Sequence, residues 1–334
     1  MPGISKANPR RPPPPVGVKR VLSLSWMRKL ALGISPEETS FARRGFHSSD
    51  PYVRQHLEQV GTFFLKGYNA SLDHDGLHSL AEELNALESE FRGFAFEGAA
   101  MGLSLLDFLS PWKKRLTSFL DGPASAHTYM AYVGVGWAVA RLRRSIGRAL
   151  ANLDPLLCWL VVDGYGFHQG YFRSQQHVRR QVLPHLPRGY AYRAFDQGLG
   201  RSLWFSDGAN IERISQTIAS FPLARRADLW SGVGLACTYA GGINPELVGS
   251  LLKAAEPFTL HLAQGAAFAA KARQRAGIAL AYTDLVCQAL CGMTASEAAR
   301  ITDLALEGLP TGGQQTAYEV WRERIRSQLC RSQG

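Results

Sequence analysis

This sequence predicts an all-α fold: two tandem homologous helical units with pseudo-two-fold symmetry, closed by a C-terminal helical cap. Three observations predict it. Apolar residues recur at helical spacing in one segment after another, and alternating strand patterns are scarce. Helix-start signals stand where several of these segments begin. An ordered series of motifs also occurs twice. Gly45-Phe46-His47 returns as Gly166-Phe167-His168, and His56 and His177 each follow nine residues later. Gly67-Tyr68 is answered by Gly189-Tyr190, Met101-Gly102-Leu103 by Val233-Gly234-Leu235, and Gly134 to Ala138 by Gly265 to Ala269. The offset runs from 121 to 132 residues. That period is too long for a solenoid, whose repeats span about 20–50 residues.

The elements follow in chain order. Residues 1–20 are rich in Pro and Arg and lack apolar periodicity, so they are expected to be a disordered basic tail, dispensable for folding. Residues 21–44 form a lead-in, in which Ser35-Pro36-Glu37-Glu38 opens a helical turn. Unit 1 spans 45–165. Within it Leu77, Leu80, Leu84, Leu87 and Phe91 fall on one helical stripe, and Tyr129, Val133, Gly136, Trp137 and Ala140 on another. Cys158–Val162 is either a buried strand or part of a helix. Unit 2 spans 166–295, with a stripe at Ile211, Ile214 and Ile218. The cap spans 296–334. Thr294-Ala-Ser-Glu297 is a capping box for a helix stopping at Gly308, and Tyr318, Trp321, Ile325 and Leu329 stripe a terminal helix. The stretches around Gly98–Leu109 and Gly232–Tyr239 are rich in small residues, which permit close helix–helix approach or leave room for a cavity.

Charge and composition narrow the function classes. The net charge is +10, but residues 1–34 hold seven cations and no acid, leaving +3 on the other 300 residues. A nucleic-acid binder more often carries its basic face on the folded body, so no nucleic-acid partner is expected. No run of 18 apolar residues occurs, so no membrane span is expected. Prolines 12–15 and the charges Arg28 and Lys29 argue against a signal peptide. Five cysteines in apolar surroundings fit reduced thiols and a cytoplasmic location.

The candidate catalytic residues are Asp163, Tyr165 and His168, a carboxylate, a phenol and an imidazole within six residues. Such groups can move protons near neutral pH. Gly164 and Gly166 read as a bend that splays the three side chains toward one point, or as the linker joining the two units. A second candidate is Asp196-Gln197-Gly-Leu-Gly-Arg201, where the glycines argue for a break. There Asp196 and Arg201 form a buried ion pair, or Asp196, Gln197 and Arg201 face a ligand carbonyl. Trp137, Tyr171, Trp204, Trp230 and Tyr239, with Asp228, complete the expected ligand-binding set. No metal is expected: His47, His56, His168 and His177 lack the spacing of four that stacks ligands on a helix, and Cys287 and Cys291 have no second pair. No Walker loop, dinucleotide loop, Gly-x-Ser-x-Gly or His-Glu-x-x-His occurs, and no cofactor is expected.

The strings Asp163-Gly-Tyr-Gly-Phe-His168, Asp196-Gln-Gly-Leu-Gly-Arg-Ser-Leu-Trp204, Arg226-Ala-Asp-Leu-Trp-Ser-Gly-Val-Gly-Leu235 and Val133-Gly-Val-Gly-Trp-Ala-Val-Ala-Arg-Leu142 form a specific set. With them the chain, from about Leu30 to about Leu309, resembles the UnbL-like family of bacterial proteins. That family is encoded in the conserved cassette beside enediyne polyketide synthases. The resemblance implies a role in maturing an enediyne or polyene polyketide, with cassette partner proteins that include a membrane protein. It supplies no catalytic mechanism.

Three functions remain open on these observations. The chain is a cofactor-independent cyclase or isomerase working by acid–base chemistry. Alternatively it is a non-catalytic protein that shields or delivers an apolar polyene. Third, it is a structural subunit whose basic tail touches a membrane or the synthase. The first two predict an apolar, aromatic-lined cavity near the seam of the two units, with Asp163–His168 and Asp196–Arg201 at its wall; an aromatic slot suits a conjugated chain.

Overall fold

Glycines decide how the long helices of this protein meet. The computed structural model describes residues 24–48, 50–151, 153–187, 189–310 and 315–333. The expected tail at 1–20 lies outside them. The described residues form α-helices, a few short 3-10 turns and one π-helical turn, and no strand. In chain order the α-helices are α1 (Leu24–Leu32), α2 (Phe41–Arg44), α3 (Pro51–Asp73), α4 (Leu77–Asn85), α5 (Ser89–Leu109), α6 (Arg115–Asp121), α7 (Thr128–Arg141), α8 (Ile146–Leu150) and α9 (Cys158–Phe172). After these come α10 (Ala191–Ser206), α11 (Ile211–Ala219), α12 (Leu223–Ala240), α13 (Val248–Ala254), α14 (Thr259–Arg275), α15 (Ala281–Cys291), α16 (Ala295–Leu304) and α17 (Ala317–Gln333). None of them is long and apolar enough to cross a membrane.

The core is a row of long helices, α3–α5–α7–α9–α10–α12–α14, each packed on the next. At every junction a glycine of one helix meets a backbone carbonyl of its neighbour, reciprocally everywhere but at α5–α7, where Gly134 alone lies against Glu97. A β-carbon on Gly98 would overlap the Phe64 carbonyl oxygen, and one on Gly67 would overlap that of Ala95. The same mutual fit joins Gly136 to Val161 and Gly164 to Val133, then Gly166 to Phe195 and Gly198 to Asp163. It continues with Gly200 at Leu229 and Gly232 at Gln197, and with Gly234 at Leu262 and Gly265 at Ser231. Two residues on a helix are 200° apart, so the two glycines of each Gly-x-Gly serve opposite neighbours. The backbones approach until glycine hydrogens meet carbonyl oxygens, as small-residue interfaces allow.

Successive core helices run in the same direction. Gly98 lies against Phe64 and Gly102 against Ser71; Gly166 lies against Phe195 and Gly170 against Ser202. Likewise Gly232 meets Gln197, and Gly241 accepts a bond from Trp204. Parallel neighbours need return segments, and most junctions have a short one: α4, α6, α8, α11 and α13. The row curls back on itself. Arg273 of α14 donates to the Glu90 carbonyl of α5, and His56 of α3 bonds the Ala240 carbonyl at the end of α12.

Most expected elements are present. Ser35 caps the turn Pro36–Thr39, and Thr294 and Glu297 form the capping box of α16. On α17, Tyr318, Trp321, Ile325 and Leu329 are buried, and the Trp321 indole donates to Thr302 O at 2.8 Å.

Three local expectations are corrected and one open alternative is decided. The stripe from Leu77 to Phe91 belongs to two helices, because the chain leaves helical geometry at Glu88. Cys158–Val162 opens α9 and is no strand. The Asp163–His168 bend and the break at Asp196–Arg201 do not exist; both segments lie inside unbroken helices. Their glycines serve close approach and have no positive φ. The expected unit boundary at 165/166 therefore falls inside α9. A glycine set against the preceding helix recurs in each core helix from α5 to α14, with Gly98, Gly134, Gly164, Gly198, Gly232 and Gly265 spaced 30–36 residues apart. The offset between Gly134 and Gly265 spans four of these intervals.

Candidate functional site

A cavity of about 490 Å³ opens among α3, α5, α7, α9 and α10, with residues 33–39 forming part of its wall. Its size is that of a small-molecule site. The lining comes from helical faces. Phe167 and Tyr171, His168 and Phe172, and Arg201 and Phe205 are pairs four residues apart, so each pair shares a face. Trp137, one residue beyond Gly136, is the hub of the aromatic wall. Its ring lies 4.6 Å from Phe64, 5.1 Å from Phe167, 5.5 Å from His168 and 6.0 Å from Tyr171, centroid to centroid. Phe167 extends the wall to Phe205 at 5.3 Å. Because the glycine junctions bring backbones so close, these large rings are displaced to one side of the row, and the cavity lies among them.

Polar groups enter this wall at three points. Glu97 of α5 is 3% exposed and faces the cavity. Burial raises its pKa to about 8, against the pull of Arg201 and with a further push from Asp163, so its carboxyl is mostly protonated at pH 7. The Trp137 indole N–H is turned toward it without full hydrogen-bond geometry. Arg201 of α10 is the second. Its guanidinium pairs with Asp163, which also accepts from Gln197 Nε2 at 2.8 Å, and it lies 5.1 Å over the Phe167 ring. His168 is the third. Burial, then the charges of Arg173 and Arg141, lowers its pKa to about 3, so the imidazole is neutral, and its buried Nδ1 has no partner. Burial likewise pushes the Tyr171 phenol up.

The structure does not bring the catalytic candidates together. Asp163 faces α10, where Arg201 and Gln197 neutralise it. Tyr165, two residues on, rests 6.2 Å from Phe195, also of α10, and does not line the cavity. Only His168 lines the cavity. Among the ligand-binding candidates, Trp137, Tyr171 and Arg201 line it and the other six do not. Asp196 pairs with Arg225 on α12 rather than with Arg201. Asp228 is held by Arg193 at 3.0 Å and by Arg322 of α17 at 2.8 Å. Gln197 bonds Asp163 and Ser231. The Trp204 indole donates to Gly241 O at 2.9 Å, and Trp230 is core. Tyr239 lines a separate void of about 30 Å³ with Asp163 and lies under Arg273. These six fasten helices to one another.

Four repeated histidines also separate. His56 bonds Ala240 O, His177 bonds Val182 O at 2.7 Å, and no cluster of metal-ligating groups occurs among the described residues. Cys158, Cys237, Cys287 and Cys291 are buried free thiols.

Glu97 was missing from the candidates read in the sequence. Its signal was available: it is the only charge between Arg92 and Asp107, in a run of small and apolar residues. Arg141, Arg143 and Arg173 at the cavity rim were missed too, because exposed or half-buried arginines carry no sequence signature of their own.

Fold and cavity together define an all-α protein whose parallel glycine-joined helices enclose a pocket of small-molecule size. The chain belongs to the family DUF1702, described as a protein of unknown function, whose family model matches residues 23–329. No curated protein and no solved structure matches the chain.

Proposed function

We propose that this protein binds an apolar, conjugated small molecule in the Trp137 cavity, as an accessory protein of specialised-metabolite biosynthesis. The observation that carries the reading is the aromatic wall of Phe64, Trp137, Phe167, Tyr171 and Phe205 around a space of about 490 Å³. Flat rings at 4.6–6.0 Å spacing offer offset and edge contacts to a polyene. A molecule held there is shielded from water and from reactive partners. The motifs that resemble the UnbL-like family supply the substrate class, an enediyne or polyene polyketide. With it come a cytoplasmic setting and cassette partners, one of them a membrane protein.

A second reading, a cofactor-independent isomerase or cyclase, is favoured by one observation. Glu97 is a mostly protonated acid facing the cavity. It would give its proton to a ligand carbon and take another back from a different carbon, leaving the carboxyl unchanged and a double bond moved. Deletion of the gene in a producing host, complemented by wild type or by Glu97→Gln, separates the readings. Binding alone predicts that Glu97→Gln restores the product profile. Chemistry at Glu97 predicts accumulation of an isomer. A deletion strain with an unchanged profile would sink both.

A further inference from the structure

We infer that the ligand of this cavity is an amphipath with an anionic head group, held at the mouth by Arg141, Arg143 and Arg173. This rests on the binding reading above and adds the chemistry of one end of the ligand. All three arginines line the cavity. None forms an ion pair among the described residues. Arg141 spends one N–H on Leu32 O at 3.0 Å, and no carboxylate reaches it. Of the two acids that line this cavity, Glu38 is already engaged by Arg43 and Arg44.

The interior tells the opposite story. Arg201 is neutralised by Asp163, and Glu97 is mostly uncharged near pH 7. An uncompensated positive field therefore exists only at the mouth, and the apolar rings lie behind it. The neutral His168 senses that field, since the charges of Arg173 and Arg141 add to burial in holding off its proton.

Arg141 and Arg173 end α7 and α9, where cations offset the negative helix termini. That accounts for two of the three. Arg143 lies beyond α7, in a left-handed backbone conformation with φ of 51°, which an arginine adopts at a cost. Its cation joins the same mouth. An apolar chain entering tail-first would place a terminal anion among the three guanidinium groups, which suit carboxylate and phosphate oxygens. The anion is either a free carboxylate or the phosphate of a phosphopantetheine arm carrying the chain.

Three probes test this on the full-length protein: parinaric acid, its methyl ester, and parinaroyl phosphopantetheine, each titrated by polyene fluorescence. The acid is expected to bind on the order of tenfold more tightly than the ester, the equivalent of one charge-assisted contact. The triple variant R141Q/R143Q/R173Q should bring the acid down to the ester's affinity and leave the ester unchanged, which also reports an intact cavity. A phosphopantetheine probe that binds more tightly than the free acid identifies a carrier arm as the source; one that binds no better identifies the free acid. An ester that binds as well as both anionic probes, or an acid indifferent to the triple variant, overturns the head group and leaves the apolar binding reading standing. Failure of all three probes to bind overturns both.

Discussion

Replacing Glu97 by Gln should remove a loss of stability that the wild type suffers as pH rises from 6.5 to 8. Glu97 is buried on α5, and burial, opposed by Arg201, raises its pKa from 4.5 to about 8. Across this window the folded chain keeps a proton that the unfolded chain has released. Stability then falls as pH rises, by at most about 1.4 kcal/mol per pH unit. Integrated from pH 6.5 to 8, the wild type should lose about 1.5 kcal/mol from this group. Other shifted groups contribute alike in the wild type and in Glu97→Gln, so the difference between the two slopes isolates this carboxyl. His127, His168 and His261 are lowered to about 4, 3 and 4, so they add stability as pH rises, about 1.2 kcal/mol in all between pH 6.5 and 8. Asp196, raised to about 6, has mostly titrated before this window. Thiols of the unfolded chain begin to ionise near the top of the window, about one unit below their pKa of about 8.5. Glutamine keeps the size of the side chain and removes only the titration. Urea unfolding followed by far-UV circular dichroism at four pH values gives both slopes. Equal slopes for wild type and Glu97→Gln would refute the assignment of a protonated carboxyl to this position.

Two further substitutions test the packing. Gly198→Ala drives a methyl group into the Asp163 carbonyl and should cost about 3 kcal/mol. Gly249→Ala, in open space on α13, should stabilise by about 0.5–1 kcal/mol; equal effects on the two melting temperatures would contradict the glycine junctions. Arg322→Met removes the fully buried cation shared by Asp228 and Glu319, which keep Arg193 and Arg326, and should cost about 2–3 kcal/mol in urea unfolding. A loss below about 1 kcal/mol would show that α17 is not fastened through these charges.

Helix existence was legible in the sequence because periodicity and caps are local. Ile211, Ile214 and Ile218, the Thr294–Glu297 box and the Tyr318–Leu329 stripe all read correctly. The Gly-x-Gly pairs misled, since two glycines in three residues weaken a helix unless a neighbouring backbone needs their space. That neighbour is 25–37 residues away and has no local signal. The same holds for charges. Asp196 and Arg201 are five apart in sequence, yet their partners are Arg225 and Asp163, on other helices. Trp137, His168, Tyr171 and Arg201 were found at the cavity because their motifs crowd aromatic and polar residues together. Glu97 was overlooked because it stands alone.

The central claim is that the Trp137 cavity holds a conjugated apolar chain. A crystal structure of the protein with parinaric acid tests it most directly. The account predicts polyene density between Phe64, Trp137, Phe167 and Tyr171, with the carboxylate at the mouth beside Arg141 and Arg173. An empty cavity at saturating probe, or a probe bound only on the outer surface, would contradict it.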